Sequence, residues 1–304
     1  MKSRLFHLSL LTSGASLSSC TEGVLATHGP IGEAEKVLLL EALITMLLVV
    51  IPVIALALYY FWRFRSTNKK AFYLPDWEYS GRIEFTIWMV PLLVVLFLSA
   101  IAWTGAHDLD PYQPMESQKT PVNVQVVSMD WKWLFIYPDL GIASVNELAV
   151  PAGVPINFKL TSATVMNSFF IPSVGGQIYT MAGMQTSLSL QVDDVGTYEG
   201  FSAQFSGDGF SDMRFPVLAT DQAGFDAWVA KVKAGGGSLD QGTYARLASM
   251  QKTASIEHFA SVNEDMFDYI MKRSVASVAA DRTTGKYDPG TAMVKTGIRS
   301  EMER

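Results

Sequence analysis

Cysteine is nearly absent from this sequence: there is one, Cys20, in 304 residues. That count excludes an internal disulfide and any multi-cysteine metal cage. Histidine is scarce too, confined to His7, His28, His107 and His258, which leaves few imidazoles for a metal centre. Only 17% of residues are charged, and 23 Lys and Arg face 29 Asp and Glu, for a formal net charge of -6. No long basic run lies beyond the first hundred or so residues, which argues against a nucleic-acid partner. Apolar residues, by contrast, are abundant: 49% of the chain, with a positive mean hydropathy. This is too apolar for a disordered chain, and the length suggests about two domains. The apolar residues gather in two long blocks before residue 105, and the remainder reads as ordinary globular sequence. The pattern is that of a membrane-anchored protein.

At the N-terminus, Lys2 and Arg4 precede an apolar stretch, Leu5 to Leu11, and then small residues ending in Leu17-Ser18-Ser19-Cys20. This is the layout of a bacterial secretory signal. The last four residues resemble a lipobox, in which cleavage precedes the cysteine and the cysteine is lipidated. The alternative is a plain signal in which Cys20 is incidental. Val37 to Trp62 and Phe85 to Trp103 are each long enough to span a bilayer, with Pro52 tolerable in the first. Residues 63–83 between them hold Arg63, Arg65, Lys69, Lys70 and Arg82 against Asp76 and Glu78. By the positive-inside rule this loop is cytoplasmic, so both termini and the large domain after residue 105 face the periplasm. Tyr59, Tyr60, Trp62, Trp88 and Trp103 stand near span ends, where amphipathic rings favour the headgroup level. Glu84 opens the second span. It reads either as a first-turn carboxylate, stabilised by about 0.3–1 kcal/mol by the helix dipole, or as a proton donor or acceptor at a membrane pathway.

After the linker 108–114 the apolar period changes to two. Strands are predicted at 122–127, 131–137, 156–161, 168–171, 187–192 and 197–203, separated by Gly, Pro and Asp turn signals. Many short strands at this spacing predict an antiparallel sandwich. From Phe225 the pattern turns helical (225–234, 244–251 and 263–275), with amphipathic faces to pack on the sandwich or on a partner.

This order of parts resembles subunit II of the haem-copper terminal oxidases, over about residues 20 to 275. Val165-Met-Asn-Ser-Phe-Phe-Ile-Pro172 is similar to the family's His-Ser-Phe strand, and Ser202 to Met213 to its Cys-x3-Cys-x3-His-x2-Met copper loop. Carried over position by position, the copper ligands become Asn167, Ser202, Ser206 and Phe210, and only Met213 remains. Hydroxyls and a phenyl ring cannot replace thiolates and imidazoles on copper. Gln204 stands where the copper-bearing branch has a magnesium-binding Glu, and an amide is a weaker ligand for a hard cation. Trp131, Trp133 and Phe135 match the aromatic stretch at that branch's electron-entry surface; the plainer reading is aromatic packing in the core or against the catalytic subunit.

The degenerate loop and the helical C-terminus together make the chain resemble subunit II of the cytochrome bo-type ubiquinol oxidases. The fold implied is α+β: a two-helix transmembrane hairpin, a periplasmic cupredoxin-like antiparallel sandwich and a helical extension. The expected division is a lipoprotein-type signal peptide (1–19), an exported segment (20–36), the hairpin (37–105), a copper-free cupredoxin-like domain (106–222), the quinol-oxidase-type extension (223–279) and a disordered tail (280–304). The resemblance implies a bacterial inner-membrane complex with a catalytic subunit I and smaller membrane subunits. That complex oxidises ubiquinol, reduces oxygen to water and translocates protons. No cofactor is expected on this chain; haems, copper and ubiquinol are expected with the catalytic subunit. The resemblance also shifts Glu84 toward the proton-entry reading. Two rivals are a copper-bearing cytochrome c oxidase subunit, which the missing ligands oppose, and a free-standing membrane lipoprotein scaffold on a metal-free cupredoxin frame.

Overall fold

The computed structural model describes residues 23–72, 74–115, 117–248 and 255–283. The expected signal peptide, Cys20 and the tail from residue 284 lie outside the described residues. Ala34–Asp110 forms one unit; the described residues up to Glu33, together with those from Pro111 onward, form another.

The helical unit holds all of α1 (Pro30–Arg63) from Ala34 onward and the whole of α2 (Gly81–Asp108), helices longer at both ends than the apolar runs alone predict. Pro30, Glu33 and Glu84 suit first helical turns, which lack N–H partners and carry a positive dipole end. Both helices are long and apolar enough to cross a membrane. Their threonine hydroxyls turn back onto the helix backbone, as an apolar medium favours: Thr45 donates to Glu41 O at 2.8 Å, Thr86 to Arg82 O at 2.9 Å and Thr104 to Ile101 O at 3.1 Å. Phe61 and Trp88 are 82% and 72% exposed, an apolar surface for lipid or another protein to cover.

The second unit is a two-layer sandwich. Its strands are β1 (Val122–Met129), β2 (Lys132–Tyr137), β3 (Ile142–Val145), β4 (Leu148–Pro151), β5 (Pro155–Ser162), β6 (Asn167–Ile171), β7 (Gly175–Thr180), β8 (Thr186–Gln191), β9 (Gly196–Ser202) and β10 (Arg214–Thr220). There follow α3 (Gln222–Ala234), β11 (Ser238–Leu239), α4 (Gln241–Leu247), β12 (Glu257–Phe259), β13 (Ser261–Val262) and α5 (Met266–Thr283). One sheet has the order β12-β3-β2-β1-β5-β8 and the other β4-β10-β9-β6-β7. The sheets are mixed rather than wholly antiparallel, because β1 pairs with β5 and β4 with β10 in parallel. Each of these pairs is separated by several intervening strands, which gives the chain room to return in the same direction.

Between the layers, Trp133, Phe135, Phe158, Phe169 and Phe215 form an aromatic core, with Phe169 stacked on Phe215 at 5.5 Å and Trp133 edge-on to Phe169 at 5.3 Å. A second core lies on the outer face of the six-stranded sheet, where Leu134, Ile136 and Val145 meet Tyr244, Leu247, Phe259, Phe267 and Ile270 of the C-terminal segment. Every residue of β2 and β3 is therefore buried. The C-terminal segment packs on the sandwich, the first of the two sites expected for it, and also contributes strand β12, which pairs with β3. Helix α5 continues through Thr283, so the first residues of the expected disordered tail are helical.

Candidate functional site

The five copper-loop positions converge at one end of the sandwich. Asn167 begins β6 and Ser202 ends β9, strands that are hydrogen-bonded neighbours, so their side chains meet: Ser202 Oγ donates to Asn167 Oδ1 at 3.1 Å. Asn167 Nδ2 in turn donates to Val165 O at 3.3 Å. Both residues are buried, and their polar atoms are committed to each other and to backbone. Met213 is 1% exposed; its thioether belongs to the apolar core, and its carbonyl accepts from Ser202 N at 3.1 Å and Trp133 Nε1 at 3.4 Å. Phe210 opens a single 3-10 turn, Phe210–Asp212, and packs edge-on against Phe205 at 5.7 Å. Ser206 Oγ is buried without a hydrogen-bond partner among the described residues.

The donors here are one amide, two hydroxyls, a phenyl ring and a core thioether, and they do not fit a dinuclear copper centre. The loop is instead held shut by aromatic packing. Trp131 sits in the two-residue turn between β1 and β2 with φ +61°, a left-handed conformation rare for a bulky residue. Its ring lies over Gly207 and Gly209, and its Nε1 donates to Ser206 O at 3.3 Å. A Cβ on Gly209 would collide with the Trp131 ring. Of the aromatic stretch, Trp133 and Phe135 are fully buried in the core, whereas Trp131 is half-buried and covers the degenerate loop.

One of the four histidines, His258, falls on β12, which the six-stranded sheet recruits as an edge strand. Its Nε2 lies 2.7 Å from Glu147 Oε1, and the same oxygen accepts from Trp228 Nε1 at 2.9 Å. Glu147 thus ties α3 and β12 to the β3–β4 corner. The residue periodicities give no sign of this cluster; the one available signal is an acid inside the apolar run Ile142 to Pro151. Nearby, Lys132 is buried and its Nζ donates to Leu247 O at 2.8 Å, at the C-terminal end of α4. Burial pulls the Lys132 ammonium below its ordinary range, and Asp130 opposes the shift. Near the N-terminus, His28 packs on Tyr198 and pairs with Asp194 at 3.0 Å, while its backbone N–H donates to Ser173 O at 2.7 Å.

Glu84 belongs to the helical unit. It is exposed in the first turn of α2, and its N–H donates to Ser80 O at 3.0 Å. Ser80 gives no side-chain cap, so the positive end of α2 is left to the Glu84 carboxylate and its surroundings.

The described residues thus comprise two long apolar helices, a two-layer sandwich whose copper-loop positions Asn167 and Ser202 bond to each other, and a C-terminal segment built onto the outer sheet. Several known proteins are similar to this chain. The family model described as the COX aromatic-rich motif matches residues 233–276. The cytochrome bo(3) ubiquinol oxidase subunit 2 of Pseudomonas aeruginosa is 47% identical over 257 residues, covering 84% of this chain and 78% of that one. The ubiquinol oxidase subunit 2 of Acetobacter aceti is 47% identical over 285 residues, covering 93% and 92%. The solved periplasmic domain of cytochrome oxidase subunit II from Bradyrhizobium japonicum matches at 22% identity with a TM-score of 0.37, covering 40% of this chain and 99% of that domain. The chain belongs to the ubiquinol oxidase subunit 2 family. It is accordingly a subunit of an oxidoreductase complex.

Proposed function

We propose that this chain is the non-redox subunit II of a proton-translocating ubiquinol oxidase, a complex that oxidises ubiquinol and reduces oxygen to water. One observation carries the non-redox part: at the copper-loop positions Ser202 and Asn167 bond to each other, and Met213 is spent in the apolar core. Electrons then enter through a partner, and the haems, copper and quinol pocket belong to the catalytic subunit. The exposed apolar faces of α1 and α2 clamp that subunit within the bacterial inner membrane. The basic loop 63–83 faces the cytoplasm and the sandwich the periplasm. Cys20 carries a lipid anchor after removal of residues 1–19.

Glu84 supplies a carboxylate at the cytoplasmic end of α2, where it exchanges protons with water and passes them to polar groups of the catalytic subunit. The test is steady-state turnover of the purified complex. Glu84→Gln is expected to slow quinol-driven oxygen uptake several-fold at unchanged haem content, and Glu84→Asp to retain much of the rate. Wild-type turnover in Glu84→Gln would remove the assignment.

A further inference from the structure

The segment that leaves α1 carries Arg63, Arg65, Lys69 and Lys70 within eight residues, and the first acid after them is Asp76. Local contacts gather these cations on a compact turn. Two backbone carbonyls at the end of α1 are taken up by side chains: Arg65 Nη1 donates to Trp62 O at 2.9 Å and Asn68 Nδ2 to Arg63 O at 2.6 Å. Asn68 Oδ1 accepts from Lys70 N at 3.1 Å, and the Arg65 guanidinium lies 5.3 Å from the centroid of the Trp62 ring. Arg65, Lys69 and Lys70 nevertheless stay exposed, and none of the four cations enters an ion pair among the described residues. Beside them Phe64, Phe72 and Trp77 are 55%, 80% and 58% exposed.

We propose that this turn is a binding surface for anionic phospholipid headgroups. A helix that crosses a bilayer and ends at Arg63 sets the next residues at the headgroup level. Guanidinium and ammonium groups there meet phosphate oxygens with charge-assisted hydrogen bonds. Exposed aromatic rings beside cations suit the boundary of hydrocarbon and headgroup, where an amphipathic or flat ring is favoured. An acidic protein surface would satisfy the cations but leave these rings without an apolar neighbour. Basic segments next to a membrane helix are drawn to an anionic leaflet, and the attraction is screened by salt beyond about 8–10 Å. The proposal rests on the two helices crossing a bilayer.

The test uses the intact oxidase complex in lipid nanodiscs of phosphatidylcholine alone or mixed with phosphatidylglycerol. Tryptic cleavage after Lys69 and Lys70 is expected to be several-fold slower in the mixed discs, and high salt is expected to abolish the difference. Equal protection in both lipids would mean that a protein surface covers the turn; equal cleavage would mean that nothing does. Either result overturns the proposal. As a second readout, the Lys69→Gln/Lys70→Gln complex, purified at unchanged quinol oxidase activity, is expected to retain several-fold less phosphatidylglycerol by lipid mass spectrometry. Unchanged content also overturns it. A complex that does not enter nanodiscs at all would refute the bilayer crossing beneath the proposal.

Discussion

Single residues hold the copper-loop end of the sandwich closed. Trp131 accepts an unfavourable backbone conformation, and the contact of its ring with Gly207 and Gly209 offsets that cost. Gly209→Ala should therefore displace the ring and loosen the loop, costing about 1–3 kcal/mol. The check is thermal unfolding together with Trp131 exposure to a quencher; an unchanged melting point would contradict the packing. Tyr244 makes a pH-dependent contribution. Burial raises its hydroxyl to about 12, whereas a tyrosine in the unfolded chain titrates at pH ~10. A raised tyrosine disfavours ionisation in the fold, so its contribution to stability is complete below pH ~10 and is lost as the pH rises from there through about 12. Tyr244→Phe removes that ionisation and should shift alkaline release of the C-terminal segment, followed by proteolysis, to higher pH. An unshifted midpoint would show that Tyr244 does not govern the release.

At the scale of elements, the Glu147 carboxylate joins three pieces: the β3–β4 corner, α3 through Trp228 and β12 through His258. Glu147→Ala strands two ring nitrogens and should destabilise docking of the C-terminal segment by about 1–3 kcal/mol. Faster proteolysis between α3 and α5, with the sandwich intact, is the expected readout. Much of this architecture was legible in the residues. The two apolar runs became α1 and α2, and the six alternating stretches became strands within two residues of their predicted ends. Four of the ten strands β1–β10 were not legible, each for a physical cause. In β3 and β4 every residue is buried, so no polar alternation marks them. Strand β7 opens with Gly175 and Gly176. Strand β10 contains Pro216, which fits because β4 begins to pair only at Val217. The site was legible as a set of substitutions, since Asn167, Ser202, Ser206, Phe210 and Met213 are read directly against a motif. Its closure by Trp131 was not, because that contact joins residues some 75 apart in sequence.

At the scale of the molecule, family membership makes the chain a subunit of a ubiquinol oxidase, and the donor chemistry of the loop supports the proposal that it does not carry the electrons. The rival lipoprotein scaffold shares the fold but needs neither a haem-bearing partner nor Glu84. The most direct measurement is oxygen uptake by the tagged protein, purified in mild detergent with whatever accompanies it and offered ubiquinol or reduced cytochrome c. Uptake driven by ubiquinol, with a haem spectrum in the preparation, is the predicted result. Uptake driven by cytochrome c, or a well-folded preparation with no haem and no uptake from either donor, would contradict it.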